Sequence, residues 1–224
     1  MLIATARGDG RLSNIFRKAR VGETLGLQLL EELEEFGVIE FEHSREAPLK
    51  KYPNQKLEKS LRTYKIEAKI RFKNPFHRFW FGFVEPYHKD LIRGESQRFF
   101  ENFEQHFSRL NSFVFEQLSQ ELLEHYYHNH ITVNGNYWDI HSEFDILARH
   151  KDGRIILGEC KYTNRHVCKS ELSKLKQKAE KSGLNADVFA LFSKSGFSNE
   201  LKNSKDKNIL LFELVDFKDL LYFM

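Results

Sequence analysis

The sequence predicts an α/β fold: a mixed sheet with helices packed on it, preceded by a small domain of helices and a hairpin. Three observations carry this. From residue 111 the chain switches between helical and strand periodicity in the order α-β-β-β-α-β-α-β-α. The strand expected at 154–162, RIILGECKY, begins apolar on both faces, as a central strand covered on both sides does. Residues 23–42 join a leucine-rich helical repeat to a short alternating strand.

Taken in order, residues 11–19 predict a short helix. Residues 23–37 predict an amphipathic one, with Leu25, Leu29, Leu33 and Phe36 at helical spacing, Leu30 beside them and Gly37 as the C-terminal cap. Residues 39–42 alternate as a strand. Residues 43–61 hold two prolines and many charges and predict a loop, and 63–72 alternate again. A helix pair followed by a hairpin with a long basic tip resembles a winged helix over 1–72. Residues 73–95 form an aromatic helical connector, and 96–224 form the α/β domain. Residues 95–128 predict one or two helices, with Gly94 and Asn111 as breaks. Strands follow at 130–141, 143–150 and 154–162; Asn134-Gly135 and Asp152-Gly153 both favour tight turns, the second linking the last two strands and the first splitting or bending the first strand. Then come a helix at 169–182, a strand at 187–192, a short helix at 197–204, a strand at 208–213 and a helix at 215–222.

Composition narrows the function classes. An apolar fraction of 41% with 21 phenylalanines demands a packed core. Two cysteines, Cys160 and Cys168, are too few for a disulfide framework or a cysteine-based zinc site. The first residues lack the apolar run of a signal peptide, and no window suits a membrane span, so the expectation is a cytoplasmic protein with no membrane partner. Residues 1–80 carry 16 Lys and Arg against 11 Asp and Glu, which places the basic surplus in the first third and suits contact with a polyanion there.

The chemistry is expected where the patterning breaks. On strand 154–162, Ile155 and Leu157 share a face with Glu159 and Lys161, so an apolar face ends in a carboxylate and an ammonium. Burying either alone costs several kcal/mol, about the effective penalty for an unpaired ion. Strand 143–150 places Phe144 and Ile146 on one face, and Glu143 and Asp145 on the other. Pairing through Asp152-Gly153 sets Asp145 opposite Cys160, flanked by Glu159 and Lys161. Two carboxylates suit a hard cation, Mg²⁺ or Mn²⁺, with the Cys160 backbone carbonyl as a further donor. Such an ion acidifies a bound water and neutralises phosphodiester charge, and a lysine orients that water or stabilises the transition state.

Asp145, thirteen intervening residues, then Glu159-Cys160-Lys161 resembles the PD-(D/E)XK nuclease superfamily. That resemblance implies an αβββαβ restriction-endonuclease-like core, metal-dependent hydrolysis of DNA phosphodiesters, and a helical glutamate joining the metal site. Glu116 stands at that place. The family's proline before the aspartate is replaced by Phe144. The strings Phe79-Trp80-Phe81, Glu143-Phe144-Asp145-Ile146 and Gly158-Glu159-Cys160-Lys161 also resemble the C-terminal region of archaeal and bacterial AAA-type ATPases, over about residues 20–220. No GxxxxGK[ST] loop occurs in these residues, so a separate ATPase partner is one implication.

Other motifs are weighed beside these. Lys174 and Gln177, on the helix after Lys161, stand where related nucleases touch phosphates; an exposed helix face reads the same way. Lys50 and Lys51 are further nucleic-acid contacts, or merely solvate a loop. His125, His128, His130 and His141 lack the i, i+4 spacing of a helical zinc pair. The expectation is a metal-dependent deoxyribonuclease that binds DNA, with a homodimer open. The alternatives are a non-catalytic module binding DNA or an ATPase, and a winged-helix transcription regulator. The acidic run Glu31, Glu32, Glu34 and Glu35 suits a major groove poorly.

Overall fold

The computed structural model describes residues 1–44, 56, 66–139 and 142–222. Its contacts form two compact units, Met1–His43 with Glu67–Leu110, and the described residues from Asn111 onward with Ser44, Lys56 and Ile66. Lys50 and Lys51, His141 and most of the expected 43–61 loop lie outside the described residues.

In the first unit, α1 (Leu2–Ala6), α2 (Leu12–Ala19) and α3 (Glu23–Glu35) precede an antiparallel pair, β1 (Ile39–Glu42) and β2 (Lys69–Phe72), with Ile39 opposite Phe72. The core is Ile15, Phe16, Leu30, Ile39, Ile70 and Phe72. Helix α3 is turned from its expected orientation: Leu25 and Phe36 are exposed, and Gly26 and Leu30 are buried. The reason is Gly26. A Cβ there would lie 2.5 Å from the Phe16 ring, so only glycine allows this approach, and the buried face follows the glycine rather than the outer leucines. Gly37 caps α3 as expected, with φ +71° and the Val38 N–H donating to the Leu33 carbonyl.

After β2 come α4 (Pro75–Phe79), capped by the Asn74 side chain, a π-helical turn at Trp80–Val84, a 3-10 turn at Glu85–Tyr87 and α5 (His88–Ile92). In the first unit Phe79 stacks on Phe83 and Phe103 on Phe107, and Phe83 meets Phe103 edge to face. Gly94, at φ +80°, breaks the chain before α6 (Gln97–Tyr126). Asn111 does not interrupt α6, because side-chain packing overrides a modest propensity penalty.

The second unit holds a five-stranded mixed sheet in the order β3 (Ile131–Trp138), β4 (Glu143–His150), β5 (Ile155–Lys161), β6 (Val188–Ser193) and β7 (Ile209–Glu213). The first three strands are antiparallel, and β5, β6 and β7 are parallel. Helix α7 (Lys169–Ser182) links β5 to β6, α8 (Asn199–Lys202) links β6 to β7, and a 3-10 helix at Asp216–Tyr222 follows. This is a mixed α/β fold with the element order read from the sequence. Asp152-Gly153 makes the β4–β5 turn, with Gly153 at φ +92°. Asn134-Gly135 lies inside β3, paired with Ala148 and Leu147, and the strand becomes irregular just after it, between Gly135 and Tyr137.

Strand β5 is central and covered on both sides. Leu157 packs with Phe144, Leu147, Leu172, Leu175 and Leu191 on the α7 side. Ile156 and Cys160 pack with Phe115, Leu123, Ile146 and Phe192 on the other. Burying a leucine- or isoleucine-sized side chain stabilises by roughly 1.5–3 kcal/mol, so these two layers hold the sheet.

Candidate functional site

Phe144 and Ile146 were expected on one face of β4 but lie in opposite apolar layers. The cause is a β-bulge. Gly135 pairs with Leu147 and Tyr137 pairs with Phe144, so Asp145 and Ile146 together oppose Asn136. The register toward β5 also differs from the expectation by one residue. Ile146 pairs with Gly158, and regular pairing stops there. Asp145 continues it with its side chain: Oδ2 accepts the Cys160 N–H at 2.7 Å. Gln120, on α6, donates to the Asp145 carbonyl at 3.2 Å and to Asn136 Oδ1 at 2.6 Å, satisfying backbone the bulge leaves unpaired.

Glu159 is buried beside this bulge. Its Oε1 accepts from Lys161 Nζ at 2.6 Å, and its Oε2 accepts from Lys178 Nζ at 2.8 Å. Lys161 lies 4.0 Å from Glu171 Oε2, and Glu171 Oε1 accepts from Lys174 at 2.7 Å. Charges therefore alternate from Lys174 through Glu171, Lys161 and Glu159 to Lys178.

The carboxyl of Asp145 is pushed up to about 6. Burial is the main cause and the Glu159 charge the second, and the Cys160 N–H, Lys161 and Lys178 pull the other way. Its surface is partly open, yet the packing around it is dense enough for desolvation to dominate. Lys161 is held above the ordinary lysine value: burial lowers it, but Glu159, Asp145 and Glu171 together raise it more. The Cys160 thiol is pushed well up by burial, then by Asp145, with Glu116 and Glu159 adding. Glu116, half-buried on α6, is thus near enough to Cys160 to act on it electrostatically.

The structure therefore gathers Asp145, Glu159, Lys161 and the Cys160 backbone, with Glu116 on the α6 side of Cys160. Lys174 pairs with Glu171, and Gln177 is exposed; neither reaches Glu159. Sequence reasoning passed over Lys178, Glu171 and Gln120. Lys178 lies two helical turns from Glu171 and so shares its face, which is the signal that could have found it.

Among the described residues no three His, Cys, Asp or Glu side chains group as a metal site. Mg²⁺ commonly takes one or two carboxylates and completes its shell from water and substrate phosphate, so a two-carboxylate set suffices. Asp145 and Glu159 fit that requirement: both are hard oxygen donors, and the Glu159 charge disfavours the ionised form of Asp145, an effect that a cation would offset.

Residues 80–180 match the family described as archaea bacterial proteins of unknown function (DUF234). This stretch contains Glu116, Asp145, Glu159, Lys161 and Lys178. No curated protein matches the chain. Among solved structures, protein VC1899 from Vibrio cholerae is 15% identical over 99% of this chain and 49% of that one, with a TM-score of 0.32. The chain thus spans about half the length of the Vibrio protein. A chain of the Thermococcus gammatolerans McrB AAA+ hexamers with bound McrC is 13% identical over 94% of this chain and 67% of that one, also with a TM-score of 0.32. No helix among the described residues is long and apolar enough to cross a membrane.

Proposed function

We propose that this chain is a divalent-metal-dependent nuclease of the PD-(D/E)XK type that hydrolyses DNA phosphodiesters. One observation carries the reading: a bulge in β4 delivers Asp145 to the Cys160 backbone beside buried Glu159, whose carboxylate is bonded to Lys161 at 2.6 Å. Asp145 and Glu159 would hold Mg²⁺ or Mn²⁺, with the Cys160 carbonyl and Glu116 as further donors. Such an ion, when bound, acidifies water and offsets the charge of a phosphodiester.

The chain's own groups supply the rest. Asp145 is fixed by its hydrogen bond to Cys160 and needs no reorganisation to present its carboxylate. Lys161 is charged at neutral pH and held by Glu159, so its ammonium can orient a water or stabilise a phosphoryl oxygen. Gln120 holds the backbone that aims Asp145.

Linear, supercoiled and branched DNA incubated with the protein and Mg²⁺ or Mn²⁺ tests this. Cleavage is expected, and Asp145→Ala and Lys161→Ala should each reduce it by about 100-fold or more, the loss typical of removing one transition-state group. No cleavage of any substrate, or full activity in both variants, refutes it.

A second reading, a non-catalytic module binding DNA or a separate ATPase, is favoured by one feature: both Glu159 oxygens are engaged by lysines. It predicts no Mn²⁺ uptake at Asp145 in calorimetry. A DNA-reading role for α3 is disfavoured, since Glu31, Glu32 and Glu35 are exposed on it and Glu34 is used to bind the Phe41 N–H.

A further inference from the structure

Lys178 is the cation of the charge row that bonds Glu159 directly and yet stands outside the family-like pattern. Its ammonium bonds Glu159 Oε2 at 2.8 Å and the Glu143 carbonyl at 3.2 Å, and it lies 6.0 Å from the Phe144 ring. Among the described residues Glu159 is the only carboxylate it bonds, while it acts on Asp145 and Glu171 at longer range. Lys161 differs: it faces Glu159 at 2.6 Å and Glu171 at 4.0 Å. Lys178 is also the more open of the two, with 36% of its side chain exposed against 29% for Lys161 and 11% for Glu159. A buried carboxylate between two ammoniums is already neutralised on both oxygens, and a dication arriving there must displace one of them. The lysine bonded to a single carboxylate and more open to solvent yields more readily.

Resting on the metal-site reading above, we propose that Lys178 is a built-in counter-ion of Glu159. It occupies the cation's place on Oε2, withdraws when a divalent ion binds, and so sets the affinity of the site. It is a positioning residue, acting on Glu159. Its worth while the metal is absent is that Glu159 is never buried as a bare charge.

Calorimetric Mn²⁺ titration of the full chain at fixed pH and ionic strength tests this without an activity assay. Lys178→Met should bind Mn²⁺ about 5-fold more tightly, as expected for releasing a partly screened ion pair. Lys178→Arg should restore affinity near wild type. Lys174→Met removes a nearby charge that pairs with Glu171 instead, and should change affinity little. Unchanged or weaker binding by Lys178→Met, or an equal gain in Lys174→Met, overturns the proposal. Absence of Asp145-dependent Mn²⁺ binding in every protein overturns the metal site itself, a distinct result.

Discussion

Asp145 and Asp152 stand at opposite ends of the β4–β5 hairpin and are driven in opposite directions. Asp152 sits in the exposed turn. Its carboxylate accepts the Arg154 N–H at 3.1 Å and Arg154 Nε at 2.8 Å, with His150 Nδ1 2.8 Å away. The Arg154 backbone N–H first, then the bond to His150, hold its carboxyl down at about 2. At the bulge, burial and Glu159 push Asp145 up to about 6, against the Cys160 N–H and two lysines. The turn aspartate has its needs met by neighbours in water and works as a staple. The bulge aspartate is raised by its burial in spite of the Cys160 N–H and two lysines, the kind of perturbation that clusters at functional sites.

The comparison can be broken most forcefully by removing the charge of Asp145. Its folded value lies above the unfolded 3.8, so the stability it contributes is full below about pH 3.8 and lost as pH rises through about 6. Asp145→Asn keeps an acceptor for the Cys160 N–H and escapes that loss. In metal-free buffer it should stabilise the protein by up to about 3 kcal/mol at pH 8 and by nothing at pH 3.5, as read by urea unfolding at both pH values. A destabilised variant at pH 8 would mean that the lysines, rather than burial, govern this carboxylate.

A smaller effect is expected beside the bulge. A Cβ on Gly158 would lie 3.0 Å from Ile146 Cβ, across the last regular pair before Asp145. Gly158→Ala should destabilise by about 1–2 kcal/mol through overpacking and reduce cleavage by displacing Asp145. Activity and melting temperature measured together check it; unchanged values in both would show the bulge to be slack.

The smallest effects belong to the turn. Asp152 has a lowered value, so its contribution is present above the ordinary aspartate range and lost as pH falls toward 2. Asp152→Ala should lower the melting temperature slightly at pH 7, less at pH 3, and leave cleavage unchanged. A large loss of cleavage would erase the distinction between the two ends.

The sheet and its hairpin were legible because period-two patterning marks a covered strand, and Asp152-Gly153 marks a turn. Glu159 and Lys161 stood out as charges at the end of an apolar face. The bulge was illegible because inserting one residue reverses side-chain phase without altering composition: Phe144 remains a buried aromatic whichever face it takes. Lys178 was hidden among the many lysines of α7, most of which are exposed, since only the fold decides which one meets Glu159. The rotation of α3 escaped notice because a hydrophobic count ignores Gly26, the position that permits closest approach.

The two thiols have unequal chemical fates. Cys160 is enclosed in the sheet with its proton held tightly, so it resists alkylation and oxidation while the fold is intact. Cys168 is exposed where α7 begins. A maleimide dye would therefore mark one position, at the head of the helix that carries Lys178, without any engineered cysteine.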